Sequence, residues 1–204
     1  LNLREQIADE RSELLNFLRS LSTEEWETPS LCRGWCVRDV VAHLLWDTIS
    51  VRQYIWVGAR YRSPDRVNQF YVDQAKGLPT SELLRLLGTT IDGGWISRLT
   101  PAGVLADLVV HHQDIRRPLN KPRTIDASRL RHTLNKPNRF AHPRRFMSGL
   151  SFIATDVDWS TGDGPEVRGR GESLALAIVG RGVVLDELTG DGVALLARRI
   201  EQRS

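Results

Sequence analysis

The sequence predicts an α+β protein: a helical bundle over residues 1–120, then a smaller α/β domain over 121–204. Three observations carry this reading. Apolar residues recur at helical spacing as far as Ile115, in segments separated by Pro, Gly and capping residues. Pro118 ends the last of those segments, and a basic stretch dotted with Pro122, Pro137 and Pro143 follows. Beyond it, residues 149–159 are rich in β-formers. At 204 residues, 41% hydrophobic and 26% charged, the chain has a globular composition and enough length to bury a core without staples.

The elements follow in order. Leu3, Ile7, Leu14, Phe17, Leu18 and Leu21 mark a first helix over 1–21. Ser22-Thr-Glu-Glu25 has the form of a capping box and predicts a short turn ending near Trp26. Residues 28–34 read as a loop. Val37, Val40, Val41, Leu44, Leu45, Thr48 and Val51 then predict one long second helix, from Val37 to about Val57. Ser63-Pro-Asp65 opens a third helix through about Lys76. Thr80-Ser81 caps a fourth segment bearing Leu83, Leu84, Leu86 and Leu87. Thr100-Pro101 starts a helix over Ala102–Arg117, with Thr as cap and Pro at the first helical position. After the boundary near Lys121, a short helix is expected at Ala127–Leu134. A hairpin follows, formed by the β-rich run before Trp159 and a return strand at Pro165–Gly169. Glu172–Val179 reads as a helix, Val183–Leu185 as a short extended piece, and Leu188–Ile200 as a closing amphipathic helix with Thr189 as cap.

The charge balance is basic, net +3, and carried by Arg; Lys76, Lys121 and Lys136 are the lysines. A charge this small, with acids interspersed and no zinc-finger, zipper or RNA-recognition spacing, gives no support to nucleic-acid binding. No apolar run reaches the roughly 18–20 residues that cross a bilayer, and no signal peptide is read at the start. Cys32 and Cys36 are too few and too close for a secreted disulfide framework. A cytoplasmic protein without membrane or nucleic-acid partners is expected.

The chemistry-bearing residues are few. Asp107 and His111 stand four apart on the predicted helix, hence on one face. His43 borders the apolar stripe of the second helix. Two imidazoles and a carboxylate from facing helices can hold a divalent metal while leaving coordination positions open, the arrangement of a catalytic site. The plainer reading is an Asp–His hydrogen bond between helices. An apolar setting makes an unpaired carboxylate at Asp107 expensive, which favours a partner of some kind. Asp114 either orients a ligand or pairs with Arg117. Asp39 either favours the helix N-terminus or supports the His43 ring. His112 points about 100° from His111. Cys36 stands where a Ser or Thr cap is expected, a position that can lower a thiol pKa; small buried hydrophobes are the plainer account of both cysteines. Trp26, Trp35, Trp46 and Trp56 could line a pocket above a metal. The run from Asp156 lacks the Gly and closing Glu of a calcium loop, and no P-loop, G-x-S-x-G or H-E-x-x-H occurs.

Trp26-x-x-Pro-Ser-x-Cys-x-Gly-Trp-x-Val-x-Asp-Val-x-Ala-His43-Leu resembles the opening of the mycothiol-dependent maleylpyruvate isomerase family. The segment from Asp107 to Leu119 is similar to that family's second metal segment. The run from Thr155 to Gly169, with Val179-Gly-Arg-Gly, resembles its sterol-carrier-like C-terminal domain. The resemblance implies a DinB-like up-down four-helix bundle with a divalent metal, zinc by preference, held by His43, Asp107 and His111. It implies mycothiol as a thiol cosubstrate, activated as thiolate and acting on a small electrophile, in an isomerase or an S-transferase. The founding enzyme has Glu where Asp107 stands; the shorter side chain requires a closer helix or accepts a weaker metal. Alternatives with the same fold are a non-catalytic metal- or ligand-binding protein and a thiol-independent metal hydrolase. A DNA-associated regulator using the basic helix near the C-terminus is a further one. The identity of the electrophile and the oligomeric state stay open at this level.

Overall fold

The computed structural model describes residues 2–202. Helix α1 (Leu3–Arg19) starts on a capping box: Asn2 Oδ1 accepts from the Arg4 and Glu5 amides at 3.0 Å, and Glu5 accepts from the Asn2 amide at 2.9 Å. Ile7, Leu14, Leu15 and Leu18 bury the expected stripe, but Glu10 and Arg11 are buried with them. Helix α2 (Thr23–Trp26) is capped by Ser22 and Glu25, as its sequence predicts.

The second helix is not continuous. It is divided into α3 (Val37–His43), a 3-10 segment (Leu44–Thr48) and α4 (Val51–Tyr61), restarted by Ser50, which accepts from the Gln53 amide at 3.3 Å. The apolar spacing runs across the break and therefore does not reveal it. At the break, Asp47 turns inward, where its carboxylate meets Arg11 at 2.8 Å and the Gly94 and Ile96 amides at 3.0 Å. Both members of the ion pair are fully buried. Beyond the break, α4 buries only Val57, and Trp56 is 63% exposed, so Trp56 is no cavity wall.

Helix α5 (Pro64–Ala75) begins with Pro at its first turn, and α6 (Thr80–Gly88) follows Pro79. A short helix, α7 (Trp95–Leu99), was not expected from the pattern. Helix α8 (Pro101–Arg116) starts at Thr100-Pro101, although the Thr100 side chain makes no capping bond. In this bundle α1 packs on α6, and α3 packs on both α5 and α6.

The chain divides into two compact units. One comprises the chain up to Val104 together with His111–Pro122. The other comprises Leu105–Val110 and the chain from Arg123 onward, so the single unbroken helix α8 contributes to both.

In the second unit, α9 (Ala127–Asn135) is capped by Asp126, which accepts from the Ser128 and Arg129 amides. A 3-10 turn (Arg139–Ala141) and α10 (Pro143–Met147) lead to β1 (Ser151–Ala154), β2 (Ser160–Thr161) and β3 (Glu166–Gly169). Among the described residues these form one sheet in the order β2-β1-β3. The hairpin partner of β1 is β2, with Phe152 opposite Thr161; the segment expected to return, β3, pairs parallel on the other edge, with Phe152 opposite Val167. The crossover depends on glycine. Gly162 and Gly164 have φ of +79° and +132°, and a Cβ on either would lie 2.2 and 2.5 Å from the Leu150 and Gly149 carbonyl oxygens. Helix α11 (Gly171–Ile178) packs on this sheet and on α9.

Two further expectations change. Residues Gly182–Glu187 are a 3-10 turn rather than an extended piece. They follow a helix end in which Gly180, at φ +84°, lets the Arg181 amide reach the Leu176 carbonyl at 3.0 Å. The closing helix α12 (Val193–Glu201) begins later than expected. Thr189 does not cap it; its backbone exchanges two 2.8 Å bonds with Arg168 and extends the edge beside β3. Phe146, Phe152, Val167, Leu174 and Leu196 are the buried centre of this unit. No helix among the described residues is long and apolar enough to cross a membrane.

Candidate metal centre

The loop before α3 is folded back on itself. Ser30 donates its amide to the Trp35 carbonyl at 2.9 Å, Trp35 to Cys32 at 3.0 Å, and Val37 to Thr28 at 3.0 Å. Gly34, at φ +77°, makes the turn. Cys36 then stands at the helix cap, and its amide donates to Asp39 Oδ2 at 3.1 Å. Asp39 thereby takes the plainer of its two expected roles. Of the two readings of Cys36, the activated thiol is not the one found: burial pushes the thiol up, and the adjacent Asp39 carboxylate pushes it further.

His43 ends α3 and is 8% exposed. Its ring lies between Trp35, with centroids 5.4 Å apart, and His111, with centroids 4.9 Å apart and nearly perpendicular planes. The Trp35 indole is held from its other end by Gln69 of α5, which accepts from Nε1 at 3.1 Å. Trp35 is thus an aromatic wall beside His43, whereas Trp26 is core.

Helix α8 supplies the remaining groups. His111 Nδ1 lies 2.9 Å from Asp114 Oδ2, and the Cys32 thiol donates to the same oxygen at 3.1 Å. A buried carboxylate is an acceptor, so the proton on the His111 ring belongs on Nδ1. The 3.5 Å separation between Cys32 Sγ and His111 Nδ1 is then that of two donors sharing one acceptor. The Asp114 carbonyl also accepts from the Leu31 amide at 3.0 Å, which ties the loop to the helix. The Asp114 carboxylate thus holds the His111 ring by one oxygen.

Two groups of ligand-type side chains result, and they share His111: Cys32, His111 and Asp114; and His43, Asp107 and His111. In each group one ligand atom per residue lies within 4.8 Å of the others. Mutual hydrogen bonding accounts for the closeness of the first group. The second contains two imidazoles and a carboxylate, a donor set suited to a borderline divalent cation such as zinc. The Asp107 carboxylate, one turn before His111 on α8, is near enough to join the two rings despite its short side chain. Its Oδ1 accepts from Asn138 Nδ2 at 2.5 Å.

His112, adjacent in sequence, is committed elsewhere. Its Nδ1 is 2.8 Å from Glu10, and its Nε2 accepts from Arg116 Nε at 2.9 Å. The Arg116 guanidinium in turn sits 3.8 Å above the Phe17 ring. Sequence reasoning missed this network and the Arg11–Asp47 pair. A signal existed: Arg11 lies four after Ile7 and three before Leu14, on the face that the apolar stripe buries.

Residues 7–93 match the family described as mycothiol maleylpyruvate isomerase N-terminal domain. That segment includes His43 and ends before α8. No curated protein matches the chain. Among solved structures, a histidine-to-alanine mutant of mycothiol-dependent maleylpyruvate isomerase is similar at 15% identity and a TM-score of 0.59. A crystal structure of mycothiol-dependent maleylpyruvate isomerase is similar at 15% identity and a TM-score of 0.53. Each similarity covers 94% of this chain and 93% of the other. At that identity the likeness is one of fold: a DinB-like helical bundle followed by a small β-containing region. In sequence over 7–93, and in fold over nearly its whole length, the chain therefore matches mycothiol-dependent maleylpyruvate isomerase.

Proposed function

We propose that the protein is a metal-dependent enzyme that uses a small-molecule thiol, mycothiol, to isomerise a small electrophile or to transfer the thiol onto it. The observation that carries the reading is the convergence of His43, Asp107 and His111. His43 comes from within the family-matched segment, and the other two come from the helix beyond it. The donor set fits zinc, and His111 with Nδ1 turned to Asp114 would present Nε2 to it. A bound divalent cation would stabilise a thiolate at neutral pH. The protein's own side chains would do the rest: Asp114 fixes the His111 ring, and Trp35, braced by Gln69, gives an apolar wall that limits water beside His43.

Metal analysis of the purified protein tests the reading. About one zinc per chain is expected, lost in H43A and in H111A while both variants stay folded. Turnover of maleylpyruvate, or alkylation of the thiol by an electrophile panel, is expected only when mycothiol is added. Activity without thiol would favour a metal hydrolase, and full metal with no turnover of any kind a binding protein. Absence of metal from the wild type would sink all three.

A further inference from the structure

We propose that Asn138 is the positioning residue for Asp107: it holds one oxygen of that carboxylate so that the other is the metal-binding atom. The proposal rests on the ligand set argued above and adds a residue from outside the family-matched segment. Both ends of the Asn138 amide are engaged. Its Oδ1 accepts from the Phe140 amide at 2.9 Å and caps the 3-10 turn Arg139–Ala141, while its Nδ2 donates to Asp107 Oδ1 at 2.5 Å. The two ends cannot be exchanged, because a backbone N–H only donates and a carboxylate only accepts.

The loop around Asn138 has limited freedom of its own. Pro137 precedes it and Pro143 follows, and each fixes a backbone φ. The amide is therefore presented by a braced turn and not by a swinging side chain. Asp107 is the member of the ligand set with the most to gain. A carboxylate can bind a cation through one oxygen or both, and through either lone pair. A hydrogen bond to Oδ1 competes with the bidentate mode and favours Oδ2 as the donor atom. Aspartate also has one fewer side-chain torsion than glutamate, so a single hydrogen bond suffices to set it. Asn138 does for Asp107 what Asp114 does for His111: each holds its neighbour by a side-chain hydrogen bond. Such outer partners typically change metal affinity by roughly ten- to a hundredfold when removed.

Two substitutions separate this role from loop stability. Asn138→Ser keeps a hydroxyl that can cap the Phe140 amide and is too short to reach Asp107; Asn138→Ala removes both contacts. Zinc affinity by chelator competition and the absorption spectrum of the cobalt-loaded protein are read beside thermal unfolding of the metal-free form. Asn138→Ser is expected to unfold like the wild type, bind zinc roughly ten- to a hundredfold more weakly, and show an altered cobalt spectrum. Wild-type affinity and spectrum in Asn138→Ser overturn the proposal while leaving the metal site standing. A wild type that binds neither ion overturns the proposal together with the ligand set it rests on.

Discussion

Two polar clusters among the helices make opposite uses of charge. Around Arg11, every terminal guanidinium nitrogen finds an acceptor, while Nε is left without one among the described residues: Nη2 meets Asp47 and Ser97, Nη1 meets the Thr90 carbonyl, and Asp47 also accepts from the Gly94, Ile96 and Ser97 amides. A positive group faces a negative one, and burial lowers the Arg11 pKa against the pull of Asp47. Around His111 the gathered groups are Lewis bases: two imidazoles and a carboxylate, one ring from the end of α3 and the other two groups from α8. The first cluster ties α1 to the 3-10 segment and α7. The second gathers side chains of the type that ligates a cation. Buried polar side chains are thus no guide to function by themselves; the sign of what they bring together is.

The largest expected effect lies in the first cluster. Arg11→Ala leaves Asp47 buried without its counter-charge and should cost about 3–5 kcal/mol in urea unfolding, whereas replacing both partners by apolar residues should recover much of it. Little loss in the single variant would erase the distinction between the clusters. A smaller effect, confined to metal, is expected in the second. Asp114→Asn should weaken zinc binding by roughly ten- to a hundredfold while the metal-free protein keeps its helix content by circular dichroism. An unchanged affinity would mean that Asp114 serves the Cys32 loop alone. The smallest effect concerns Cys36, whose thiol is held above its ordinary pKa by burial. The folded chain binds that proton more tightly than the unfolded one, so this contribution is present at neutral pH and declines as pH rises through the thiol range. Alkylation of Cys36 should accordingly be slow at pH 7 and accelerate well into the alkaline range, followed by mass spectrometry in a Cys32→Ser background. Rapid labelling at pH 7 would contradict the burial argument.

Much of the bundle was legible in the sequence because its cues are local. Ser22 with Glu25, Ser63 with Pro64, and Thr100 with Pro101 mark helix starts within a few residues. The break at 44–48 was not legible: there Asp47 turns in to meet Arg11, thirty-six positions away. The sheet order was missed for a similar reason. Alternating β-formers report which residues can pair, while the choice of partner for β1 depends on a glycine crossover at Gly162 and Gly164. At the site, the shared face of Asp107 and His111 was legible, but Cys32 and Asn138 as their neighbours were not.

Sequence alone determined where α2, α5 and α8 begin and that Asp107, His111 and Asp114 share one side of α8, because caps and helical periodicity are properties of neighbouring residues. Tertiary structure alone decided the pairings: His111 with Asp114 and Cys32, His112 with Glu10 and Arg116, Asp47 with Arg11, and Asp107 with Asn138. The physical reason is desolvation. A charge or imidazole removed from water must find a partner among whatever packing brings near, and that choice is made across the fold, not along the chain.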